Sequence, residues 1–163
     1  MEIQFNANLT TALYLPLAKR SVLYLGTQLQ HIAATNLFQN ELIRYGGLQS
    51  LRGFNEESLY AATFSLFSFE YRFLLDSKTF MHLFFDQAIA KNPMATQNKI
   101  TQPFGFGLGL NIASKTGVFS VTYALGKTNS SAINYSNGKI QSNIKSASTT
   151  TLPRHRLFRL CRR

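Results

Sequence analysis

Along most of this 163-residue chain, bulky apolar side chains alternate with small or polar ones at a period of two. That pattern restricts the fold more than any other feature, because a strand turns successive side chains to opposite faces. From Leu59 to Leu75, Phe67, Phe69, Tyr71, Phe73 and Leu75 share one face, and Ser68, Glu70 and Arg72 share the other. Thr79 to Ile89 sets Met81, Leu83, Phe85 and Ile89 against Phe80, His82, Phe84 and Asp86. Pro103 to Ala113 sets Phe104, Phe106, Leu108, Leu110 and Ile112 against Gly105, Gly107, Gly109 and Asn111. Bulky residues opposite glycines describe a strand whose inner side leaves room for something. Two earlier runs, Ile3 to Leu17 and Ser21 to about Ala33, and a later one around Phe119 to Gly126, complete six strands, with a weaker seventh at Ala132 to Ile140.

The connections carry a second pattern. They fall near 16–20, 34–58, 76–78, 91–101, 114–117 and 127–131, alternating between short and longer. Tight turns at one end and long loops at the other belong to a barrel of a bacterial outer membrane. Strands of this length reach across a bilayer at a tilt, and no run of about 18 apolar residues offers a membrane-crossing helix instead. The expected fold is therefore all-β, an antiparallel transmembrane barrel of which this chain holds about six or seven strands. A soluble, lipocalin-like ligand-binding barrel is the competing architecture, and it would turn the 14 Phe and 7 Tyr inward.

Charge separates the chain into two parts. Residues 1–138 hold ten Lys/Arg against seven Asp/Glu, whereas residues 139–163 hold seven Lys/Arg and no acid. The basic excess belongs mostly to the tail and is no nucleic-acid surface of the whole domain. Residues 1–140 are expected to form the barrel portion, with 34–58 as a long inward-folding loop and 141–163 as a divergent, disordered basic tail. The single cysteine, Cys161, excludes an intrachain disulfide, and His31, His82 and His155 make no metal-ligand spacing. No nucleophile elbow surrounds any Ser, and the Gly105, Gly107, Gly109 series lies in a strand with no helix after it. No enzyme, metal or cofactor is expected.

The long loop contains Leu51-Arg52-Gly53-Phe54, where glycine permits a turn that holds a guanidinium out from the backbone. With the bulky faces toward lipid, Glu70 and Asp86 point inside, where the loop can bring Arg52 between them. A forked guanidinium pairs directionally with carboxylates. Spacing alone leaves two pairings open: Arg52 held by Glu70 and Asp86, or a solvated Arg52 with Glu70 bound to Arg72 or water.

These residues resemble motifs of the BamA/TamA outer-membrane assembly superfamily. Leu51-Arg52-Gly53-Phe54 is similar to its loop motif, Glu70-Tyr71-Arg72 to the acidic position of the next strand, and Phe84-Phe85-Asp86-Gln87-Ala88 to the aspartate motif of the strand after, with Ala88 replacing the usual glycine. The resemblance covers residues 3–140 and implies the last strands of a sixteen-stranded barrel. It implies protein insertion or translocation at the outer membrane, a lateral seam between first and last strands, and periplasmic POTRA domains that this chain lacks. It makes Arg52, with Gly53 and Phe54, a lumenal loop anchor on Glu70 and Asp86. Implied partners are outer-membrane lipid, unfolded outer-membrane clients or one secreted protein, and the rest of the barrel. A two-partner-secretion transporter of the same superfamily and a small passive barrel or porin are the other membrane readings. The tail lacks the family's alternating aromatic ending, so a frameshifted C-terminus on a partial reading frame is expected.

Overall fold

A computed structural model describes residues 4–34, 37–76, 78–96, 100–114, 117–128 and 139–146. Seven long strands form one antiparallel sheet: β1 (Gln4–Ala18), β2 (Ser21–Ala34), β5 (Thr63–Leu74), β6 (Phe80–Lys91), β8 (Phe104–Ala113), β9 (Gly117–Lys127) and β10 (Lys139–Ser146), neighbours in that order. A two-residue strand, β7 (Ile100–Thr101), extends the pairing of β6. Between β2 and β5 the chain leaves the sheet, makes a 3-10 turn at Gln39–Glu41, and forms a separate hairpin of β3 (Ile43–Tyr45) and β4 (Leu59–Ala61). Strands β1 and β10 each have one open edge among the described residues, so the sheet is not closed. Among those residues no helix is long and apolar enough to cross a membrane.

The greasy face is outside. Phe69 is 52% exposed and Leu83 is 59% exposed, while Asp86, on the opposite face, is fully buried. This is the reverse of a soluble barrel, whose aromatic faces would be covered. Exposed aromatic and aliphatic side chains along β5, β6, β8 and β9 suit contact with lipid. The buried core lies on the inner face, against the loop: Ile43, Tyr45, Leu51 and Ala61 pack on Phe64, Leu66, Ala88 and Ala90.

Three elements differ from the sequence expectation. The run beginning at Leu59 is two strands, because Leu59–Ala61 pairs with Ile43–Tyr45 and the chain joins the main sheet only at Thr63. Pro16 lies inside β1 opposite Val22, with a register irregularity before Ala18, and the turn is confined to Lys19 and Arg20. Proline is tolerated there because it sits beside that irregularity at the end of the strand. Residues Gln141–Ser146 pair with Thr122–Gly117, so the sheet runs past residue 140, where the tail was expected to begin. Residues 132–138 of the weaker strand and 147–163 of the tail lie outside the described residues.

Candidate functional site

The register aligns a row of small residues across the inner face. Gly26, Ser68, Asp86, Gly105 and Gly126 are successive partners on β2, β5, β6, β8 and β9. Four of the five carry at most a hydroxymethyl group, so the row is a shallow trough with one carboxylate in it. The loop occupies this trough. A Cβ on Gly105 would collide with the carbonyl oxygen of Arg52, and one on Gly126 would sit 2.7 Å from the carbonyl oxygen of Gly53. Gly53 has φ of +93°, and a side chain on it would press on the Leu125–Gly126 backbone at 2.7–2.8 Å. Loop and sheet therefore meet backbone to backbone, an approach only glycine permits.

Seated there, Arg52 reaches both acids. Its Nε donates to Asp86 Oδ2 at 2.6 Å and its Nη2 donates to Asp86 Oδ1 at 2.6 Å. The Arg52 backbone N–H also donates to Asp86 Oδ2, at 3.4 Å. Nη1 donates to Glu70 Oε1 at 2.5 Å. The guanidinium carbon lies 3.8 Å from the centroid of the Phe84 ring, a cation–π contact on a desolvated face. Room for that ring comes from Gly107, where a Cβ would lie 2.9 Å from Phe84 Cζ. Burial alone would lower the Arg52 pKa, but Asp86 and then Glu70 outweigh it and hold the group above its ordinary value, charged.

Glu70 has a second oxygen, and Arg72 takes it: Nε donates to Glu70 Oε2 at 2.7 Å and Nη2 approaches the same atom at 2.6 Å. The two pairings that the sequence left as rivals thus coexist on one carboxylate. Gly53 turns the backbone, and Phe54 packs against the apolar core beside Ile32 and Leu59. His82 is buried on the same inner face, its Nδ1 3.3 Å from the Asn111 side-chain nitrogen. Sequence reasoning did not find Phe84 as a platform for Arg52, nor Gly126 as half of the loop seat. Both depend on cross-strand register, which no single strand's pattern displays.

Chemically the cluster is saturated. Both carboxylates are occupied by guanidinium donors, and no group of three or more His, Cys, Asp or Glu among the described residues could hold a metal. The arrangement joins the loop to β5 and β6 through two carboxylates. Two spaces flank the strap of loop, a mixed one of about 280 Å³ bordered by Arg72, Phe80, His82, Asn111 and Val118, and a more polar one of about 220 Å³ bordered by Thr10, Tyr24, Gln28 and Ser68. The sequence model of the Omp85 superfamily domain matches residues 3–144. No curated protein matches the chain.

Proposed function

The chain belongs to the Omp85 superfamily, and on that premise we propose that it is the C-terminal part of the barrel of a BamA/TamA-type factor that inserts or translocates proteins at the bacterial outer membrane. The superfamily covers outer-membrane assembly and secretion factors. The observation that carries the finer reading is the fork of Arg52 between Asp86 and Glu70 beneath a loop that fills the inner face. Its role is mechanical. Arg52 is the loop anchor, Glu70 and Asp86 are its seats, Gly53 supplies the turn and Phe54 the apolar contact. A desolvated ion cluster fixes position more than it adds stability, and that suits a loop that must keep the barrel interior in one shape while clients engage the strand edges.

The whole factor would include upstream strands to pair with β1 and a partner for β10, since unpaired backbone edges are not tolerated in hydrocarbon. Clients would be unfolded outer-membrane proteins, and the work would be done without covalent chemistry or cofactor. The test uses the full-length protein in its native envelope. Arg52→Ala and Arg52→Glu are expected to leave the barrel in the outer membrane but lower the level of several other outer-membrane proteins. Unchanged levels with Arg52→Glu would refute the anchor role. Loss of one secreted protein alone would reassign the chain to secretion within the superfamily. A native product near 18.4 kDa in the soluble fraction would sink the membrane reading altogether.

A further inference from the structure

We propose that Arg72 is a positioning residue for the loop anchor, acting through Glu70 by completing the charge balance of the buried cluster. The inference rests on the anchor reading above. Arg52, Glu70 and Asp86 together carry one positive and two negative charges, a net −1 that is largely removed from water: they are 9%, 6% and 0% exposed. Arg72 adds the missing positive charge, bound to the Glu70 oxygen that Arg52 does not use. A buried carboxylate whose charge is uncompensated either takes up a proton or pulls the site open to water. Arg72 prevents both.

Its own position is determined from three sides. The Arg72 guanidinium carbon lies 4.4 Å from the Tyr24 ring centroid, 5.1 Å from Phe80 and 5.4 Å from Tyr14. These rings come from β2, β6 and β1, and Tyr14 and Tyr24 also contact each other at 5.0 Å. Aromatic faces attract a guanidinium and exclude water from around it. The cage aims the Arg72 fork at Glu70 and connects the loop cluster to Tyr14 on strand β1.

The test is a charge-swap cycle in the full-length protein, reconstituted in phospholipid vesicles. The readout is chymotrypsin cleavage after Phe54, beside the anchor, relative to cleavage after Phe38, which is 60% exposed in the closed loop. With Arg72→Met the ratio is expected to rise on the order of tenfold, as one uncompensated buried charge loosens the loop. In the double variant Glu70→Gln, Arg72→Met the net charge returns to zero and the ratio falls back toward wild type. Arg72→Lys, with the charge but without the fork, lies between. A ratio unchanged in Arg72→Met overturns the proposal, and so does a double variant as open as Arg72→Met alone. Should Arg72→Met not assemble, an assembled double variant supports charge balance and an unassembled one overturns it. If Arg52→Glu leaves Phe54 protected, the anchor reading itself fails; if Arg52→Glu opens the loop and Arg72→Met does not, only the role of Arg72 fails.

Discussion

Gly105→Ala tests whether the loop is seated by backbone contact, because the added methyl has no escape. It would strike the Arg52 carbonyl oxygen, lie 3.0 Å from the Arg52 carbonyl carbon, and still be only 3.6 Å from the Leu125 oxygen. The strand cannot yield, since Gly105 is paired to Asp86 on one side and Gly126 on the other. The loop must rise by about 1 Å to restore ordinary contact. Bonds from Arg52 to Asp86 that are now 2.6 Å long then pass beyond hydrogen-bonding reach. Strain and the loss of a charge-assisted bond together are expected to cost about 2–4 kcal/mol. The measurement is the urea midpoint of the barrel in lipid vesicles, together with the protease sensitivity of the Phe54 peptide bond. Gly109→Ala is the control on the same strand. A Cβ there meets the His82 ring, with Nε2 at 2.6 Å, a side chain that can tip aside. It is expected to cost under about 1.5 kcal/mol and to leave Phe54 protected. Equal effects of the two alanines, or a Gly105→Ala midpoint like wild type, would refute the seat.

Three further outcomes follow from the same geometry. Asp86→Ala strands the Arg52 fork and leaves Glu70 as its only carboxylate seat, and is expected to cost about 3–5 kcal/mol in the same urea titration. Leu51→Ala empties a fully buried position in the apolar plug and should cost about 2–5 kcal/mol while Arg52 stays paired, so the midpoint falls more than Phe54 cleavage rises. Phe85→Lys places a charge in the middle of the outer face, beside Phe69 and Phe106, and should lower barrel assembly by about 2–4 kcal/mol, read as loss of the heat-modifiable band. The anchor also has a pH signature. The Arg52 pKa is raised in the folded state, so its contribution is complete below its unfolded value and is lost only above its folded one. Phe54 protection should therefore be flat from about pH 7 to about pH 10.

The period-two pattern made the sheet legible because lipid on one side and a loop on the other impose different demands on alternate residues. It located the faces of β5, β6 and β8 and put Glu70 and Asp86 on a common side. Other features are written across strands rather than along them. The Gly26–Ser68–Asp86–Gly105–Gly126 trough appears only once register is known. The hairpin of β3 and β4 offers three residues a side, too few to show a period, and its apolar residues read as a continuation of β5. Strand β10 extends through the polar stretch Gln141–Ser146 because pairing with β9 asks for backbone groups, which side-chain composition does not reveal. The rivalry between Arg52 and Arg72 for Glu70 could not be resolved from spacing, since a carboxylate has two oxygens and the answer was both.

The partners of Arg52 lie only 18 and 34 residues further along the chain. Their closure needs one loop and one hairpin, and neither β1 nor β10 takes part. Contacts so near in sequence form early, ahead of the distant pairings that complete a cylinder. A β5–β6 hairpin on its own would pair Glu70 with Arg72 but carry Asp86 bare toward hydrocarbon, an expensive way to begin. With the loop already laid along the trough, the same hairpin presents a neutral inner side. On the membrane reading, the loop is therefore expected to enter together with the hairpin that holds it rather than to be threaded into a finished pore.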